Sequence, residues 1–316
     1  MLRCLSNPPA AAVFVAALAL SCADPSSPDP TSRPSLESSA EHRGSPILRV
    51  QHSGTTNRLQ AVSPVNSDVV WASGIGGTFV RTTDGGRHWR AGVVEGAELL
   101  EFRDVHGVSA KEAYLLAAGF GEDSRIYKTV DGGKTWQLQF KNENPSAFYD
   151  CFDFWSPNRG ITMSDAVNGL FPVIRTRSGE KWNRIARKLP PAQPGEAAFA
   201  ASGTCVATQG ENRAWIATGA AKRARILATT DGGDTWQAYG TPIVQGTPAS
   251  GIVTVAFRDR WHGILAGGDL AAPDALSDNV AVSKDGGKTW KLVSGTPFPG
   301  AAYGLSFVPT RWRGQN

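Results

Sequence analysis

"RTTDGGRHW" occupies residues 81–89, and the same arrangement returns as "KTVDGGKTW" at 128–136, "ATTDGGDTW" at 228–236 and "VSKDGGKTW" at 282–290. A worn copy, "RTRSGEKW" at 175–182, lacks the Asp and one residue. The closing tryptophans, Trp89, Trp136, Trp182, Trp236 and Trp290, follow one another at 47, 46, 54 and 54 residues. A period near fifty marks an array of one repeated supersecondary unit. Each box is preceded by short apolar runs, such as "VVWASG" (69–74) and "TFVRT" (78–82) in the first unit. Four short strands per unit, with the box turning the third into the fourth, make one blade of a β-propeller. The residue types suit a corner. Asp84, Asp131, Asp231 and Asp285 can accept turn N–H groups, the Gly pair permits positive φ, and the Trp buries its ring while its N–H seeks a turn carbonyl. None of this needs a substrate, so the boxes are expected to be scaffold.

The remaining composition fits. The chain has 316 residues, 35 Gly, 10 Trp and a net charge of +4 with scattered Lys and Arg. A clustered basic face is missing, so no nucleic-acid partner is expected. Residues 1–22 read as a signal peptide. Arg3 supplies the charge, "AAAVFVAALAL" (10–20) is too short to span a bilayer, and Cys22 follows small residues as in a lipoprotein signal. Residues 23–46 hold five Pro and seven Ser, and read as a disordered tether reaching roughly 25–30 Å. Residues 47–316 then form the propeller. The expectation is an extracytoplasmic monomer in the periplasm or cell envelope, lipid-anchored through Cys22.

The boxes resemble the Asp-box, or BNR, repeat of sialidase-like propellers. One box per blade in a single domain is most similar to exported proteins of the photosystem II stability and assembly factor-like group. The resemblance implies the fold rather than a role. The superfamily's sialidases resemble one another in an early Arg-Ile-Pro motif, which this chain lacks; "ILR" at 47–49 does not replace it.

Six first strands begin near 58, 104, 151, 205, 254 and 304, against five boxes. The reading is therefore all-β, five blades plus an incomplete sixth. That sixth would keep an innermost strand at 302–308 and an outermost one at 46–51. Aligned first strands place Arg58, Asp104, Cys151, Cys205, Thr254 and Gly304 in one column, an apolar column next, then Gln60, His106, Asp153, Ala207, Ala256 and Ser306. Arg58, Asp104, His106 and Asp153 are thus candidates to face the central channel. Cys151 and Cys205 invite a disulfide in an oxidising compartment. Equivalent positions in neighbouring blades can exceed the ~7 Å Cα limit, however, so two half-buried free thiols are the favoured reading.

Ligands are expected on the long loops opposite the boxes, where Asp165, Glu196 and Asp269 join Asp150, Tyr149 and Arg103 as candidates. No catalytic nucleophile, cofactor motif or metal-ligand spacing is found; neither Cys-x-x-Cys nor His-Glu-x-x-His occurs. Two functions compete. One is a non-enzymatic binding or assembly scaffold for a protein or glycan partner. The other is a glycan-active hydrolase or lyase, using Asp165 and Asp269 as acid and base if they share a cleft.

Overall fold

The computed structural model describes residues 49–185, 189–275, 278–295 and 300–307. Within them lie five four-stranded antiparallel sheets, each in simple sequence order from the inside outward. Blade one is β1 (Leu59–Pro64), β2 (Val70–Gly74), β3 (Thr78–Thr82) and β4 (Arg90–Val93). Blade two is β5 (Phe102–Gly107), β6 (Ala113–Ala117), β7 (Arg125–Thr129) and β8 (Gln137–Lys141). Blade three is β9 (Tyr149–Ser156), β10 (Arg159–Ser164), β11 (Val173–Thr176) and β12 (Trp182–Arg184). Blade four is β13 (Val206–Gln209), β14 (Arg213–Ala217), β15 (Arg225–Thr229) and β16 (Gln237–Gly240). Blade five is β17 (Ser250–Phe257), β18 (Gly263–Asp269), β19 (Val280–Ser283) and β20 (Lys291–Leu292). The sole helical turn described is a short 3₁₀ segment at Gly121–Asp123.

The corners behave as their residues dictate. In the second box, Asp131 Oδ1 accepts the N–H groups of Lys134 (2.9 Å) and Thr135 (3.0 Å), and Thr135 Oγ1 donates to Oδ2 (2.6 Å). Thr129 Oγ1 donates to Asp131 Oδ1 at 2.9 Å and accepts the Gly133 N–H, also at 2.9 Å. The boxes at Asp231 and Asp285 repeat this pattern, and that at Asp84 repeats most of it. The indole N–H of Trp236 reaches the Gly233 carbonyl and that of Trp290 the Gly287 carbonyl. Trp89 departs from the scheme, donating to Gln51 Oε1 at 2.9 Å.

The boxes also join neighbouring blades. Gly287 has φ +86°, and a Cβ there would lie 3.0 Å from the Trp215 indole nitrogen of blade four. Trp215 stacks on Phe257 of blade five at 3.5 Å and donates its N–H to the Gly286 carbonyl at 2.8 Å. The equivalent second-strand residue recurs. Trp71 donates to the Ser109 carbonyl of blade two, and Tyr114 donates to the Pro157 and Gly179 carbonyls of blade three. Each such ring buries about 200 Å², worth roughly 5 kcal/mol of transfer free energy. Third-strand cations reach the same way, Arg81 to the Ala110 carbonyl and Arg175 to the Gly232 carbonyl and Asp234.

Innermost strands are stapled in series too. The Cys151–Cys205 disulfide, with Cα atoms 5.8 Å apart, joins blades three and four. This corrects the expectation of free thiols: adjacent inner strands converge toward the axis and come within bridging range. Asp104 and Asp153 also serve these joints. Asp104 accepts the Phe152 N–H at 2.8 Å, and Asp153 accepts the Thr208 N–H at 2.7 Å. Ser63 does the same for Gly107 at 2.9 Å. The strand registers place Ala61, not Arg58, level with Asp104, Cys151 and Thr254.

The sixth blade is represented by residues 301–307, which form no ladder because no second strand lies beside them among the described residues. Their placement nevertheless follows the inner-strand pattern: Leu305 donates its N–H to Thr254 Oγ1 at 3.2 Å, as Phe152 does to Asp104. Val308 lies outside the described residues. The outer strand expected at 46–51 is not formed over residues 49–51, where Gln51 holds Trp89 of blade one instead; residues 46–48 lie outside the described part, as do the signal, Cys22 and the tether.

Two outcomes follow. Trp215→Ala empties the joint between blades four and five and should cost about 3–5 kcal/mol in urea unfolding. Replacing both Cys151 and Cys205 by Ala should cost up to about 4 kcal/mol, from the freedom restored to a 54-residue span, read as a lower urea midpoint.

Candidate functional site

Four loops on the face opposite the boxes enclose a cleft of about 490 Å³. Phe120 comes from the β6–β7 loop, Ser146 from β8–β9, Asp165, Ala166 and Gly169 from β10–β11, and residues 192–197 from β12–β13. Small side chains and backbone make most of the wall.

Glu196 builds this wall rather than facing a ligand. Its carboxylate is buried and takes the guanidinium of Arg225 (Nε to Oε1, 2.8 Å), the Thr218 hydroxyl (2.7 Å) and the Gln193 N–H (2.8 Å). Every lone pair is engaged, so the residue pins the β12–β13 loop to blade four.

Asp165 is different. It lines the cleft, accepts the Ala198 N–H at 2.9 Å and neighbours the carboxyl of Asp150 closely enough for the two to shift one another. Asp150 is buried, and its Oδ2 has no hydrogen-bond partner among the described residues. Burial pushes the Asp165 acid up to about 6; burial, then the neighbouring Asp165 charge, pushes Asp150 well above the usual range. The two titrate as a unit. Arg103 stands nearby, paired with Glu101 at 2.7 Å and bonded to the Ala200 carbonyl at 3.3 Å, and it offsets part of the rise at Asp150.

The other sequence candidates fall elsewhere. Asp104 is buried in its staple, where burial raises its acid well above normal. Asp153 is pushed up to about 6 for the same reason. His106 stacks on Phe154 at 4.3 Å, and burial lowers its base to about 4, so the ring is neutral. Arg58 is exposed just before β1. Asp269 folds back to accept the Ala271 N–H at 3.0 Å, whereas Asp165 faces Asp150. The pairing with Asp150 was beyond sequence reasoning, because it depends on two loop ends meeting across the top of blade three. Its only advance signal was that Asp150 and Asp165 flank the same β9–β10 hairpin. Among the described residues no group of three or more His, Cys, Asp or Glu could hold a metal ion.

The chain is thus a β-propeller with Asp-box corners on one face and the cleft on the other. The BNR/Asp-box repeat profile matches residues 281–292. No curated protein matches the chain. Among solved structures, it is similar to YCF48 bound to D1 peptide (16% identity, TM-score 0.44, covering 75% of this chain and 81% of that one). It is also similar to YCF48 from Cyanidioschyzon merolae (18%, TM-score 0.42, 75% and 85%). The Niastella koreensis GH74 enzyme is similar as well (16%, TM-score 0.46, 76% of this chain and 38% of that one). At these identities the likeness is one of fold.

The carboxyl pair makes a signed prediction. An acid whose folded pKa exceeds its unfolded value (about 3.9 for Asp) stabilises the fold below that value, and the contribution is lost as pH rises through about 6. Asp165→Asn keeps the acceptor for Ala198 and can donate to Asp150. Its melting temperature should match wild type at pH 4.5 and exceed it at pH 7.5. Parallel melting profiles for the two proteins would contradict a raised Asp165 acid.

Proposed function

We propose that the chain is an exported, envelope-tethered binding or assembly propeller that takes a protein partner in its loop-face cleft. The lining of that cleft carries the reading. Its wall is small side chains and backbone around one accessible acid, Asp165, with Phe120 exposed at the rim. Such a surface suits an extended peptide segment, held by main-chain hydrogen bonds and one apolar anchor. The glycan-hydrolase reading is disfavoured by placement. It needs Asp165 and Asp269 to flank one glycosidic bond, but Asp165 lines the cleft while Asp269, outside that lining, accepts the Ala271 N–H at 3.0 Å. The buried Cys151–Cys205 bridge supports an oxidising, extracytoplasmic compartment, and the Cys22 signal supports a lipid anchor there.

The test is capture from native envelopes with the tagged, full-length chain, followed by reconstitution with the purified partner. Ala192→Trp fills the cleft from an already partly exposed wall position. It should weaken partner binding at least about tenfold, a loss of 1.4 kcal/mol or more, while leaving the melting temperature unchanged. Equal binding by both proteins would remove the cleft from the function. Sugar release from envelope glycans, abolished by Asp165→Asn, would replace the scaffold reading with the enzymatic one.

A further inference from the structure

Nine of the ten tryptophans lie in the described residues, and eight are buried or partly buried in blades or joints. Trp261 is the exception, with 47% of its surface exposed. It sits on the β17–β18 turn, on the box face. The carbonyl of this position accepts the N–H of the first box glycine: Asp68 from Gly85, Lys111 from Gly132, Asn212 from Gly232, and Trp261 from Gly286. Three blades thus carry a polar residue where blade five carries an indole. The Trp261 indole N–H donates no hydrogen bond among the described residues.

The ring is presented rigidly. Asp259 Oδ1 accepts the N–H groups of Trp261 (2.8 Å) and His262 (2.9 Å), and Arg258 N–H closes the turn on the His262 carbonyl at 3.0 Å. Arg260 holds its guanidinium 4.8 Å from the ring centre. The Gly286–Trp261 bond ties this turn to the fifth box, which adds the exposed Lys284 and Lys288. The two acids among them are engaged: Asp259 in its turn and with Arg258, Asp285 in its box. What projects is an indole among four cations.

Gln51, the first segment of the described chain to touch a blade, bonds Trp89 and would meet a Cβ on Gly86 at 2.3 Å, both in the first box. Gln51, close to the start of the described chain, therefore lies on the box face, not the cleft face. We propose that the blade-five corner, Trp261 with Arg258, Arg260, Lys284 and Lys288, docks on an anionic bilayer surface. The indole sits at headgroup level and the cations sit against lipid phosphates. This orients the cleft outward. The proposal extends the tethered reading but does not require Cys22 to be lipidated, since the corner binds by itself.

The experiment uses the full chain with Cys22→Ser, so that no acyl chain contributes. It is mixed with phosphatidylcholine vesicles containing about one-third phosphatidylglycerol, or none, and floated. Binding should require the anionic lipid and fall as salt rises. Trp261→Ala, and Arg258→Glu with Arg260→Glu, should each weaken it at least about tenfold. Lys222→Glu with Arg223→Glu makes the same charge change on the cleft face and should change it less than about threefold. No binding to anionic vesicles, or equal losses from the two double variants, would overturn the proposal; so would binding that ignores Trp261→Ala. Unchanged melting temperatures exclude misfolding. Acyl labelling of the wild-type chain, absent in Cys22→Ser, tests the anchor separately.

Discussion

A blade of this protein cannot bury its own broad apolar face; the next blade must cover it, and the bonds that enforce this all point the same way round. Trp71, Tyr114 and Trp215, at one place in the second strands of blades one, two and four, each lay a ring on the following blade and pass their single donor to it; blade three carries Ile161 there. Ser63, Asp104 and Asp153 pass acceptors forward between inner strands. Inner-strand edges carry N–H groups that no ladder satisfies, and an unmet buried N–H costs more than a made bond gains. The staples answer that constraint. Val62, beside which no earlier blade lies among the described residues, is exposed, while Val105, Phe152, Val206 and Val255 at the same level are buried.

The constraint explains which polar residues are free to act. Acids in the inner strands were attractive as channel ligands because they break an apolar pattern. They break it to meet a neighbour's backbone. Glu196 is likewise spent on Arg225 and two further donors. Asp165 alone of the sequence candidates reaches the cleft with a proton to exchange near neutrality.

The repeat, the blade order and the face bearing the cleft were legible because each follows from local chemistry: a Thr-x-Asp-Gly-Gly corner, a two-residue period, long Pro-bearing loops. The joints were not. Arg58 was set level with Asp104, but pairing with the second strand puts Ala61, opposite Ser73, where blade two has Asp104 opposite Leu116. The Cys pair shared a column, yet only the convergence of inner strands toward the axis brings its Cα atoms to 5.8 Å. Asp150 and Asp165 lie fifteen residues apart, a spacing that carries no signal until β9 and β10 pair and bring their open ends together. The recurrent aromatic at Trp71, Tyr114 and Trp215 was visible as a column and would have announced the directional joint.

One joint differs in kind from the rest. Most are assembled from interchangeable parts, so duplicating or deleting a unit would change the circumference and leave the chemistry of each surviving contact as it was. Between blades three and four the link is covalent and specific to two cysteines. Shuffling of units in related genes would be tolerated around the wheel yet penalised at that position, which makes the third and fourth units an inseparable pair in descent.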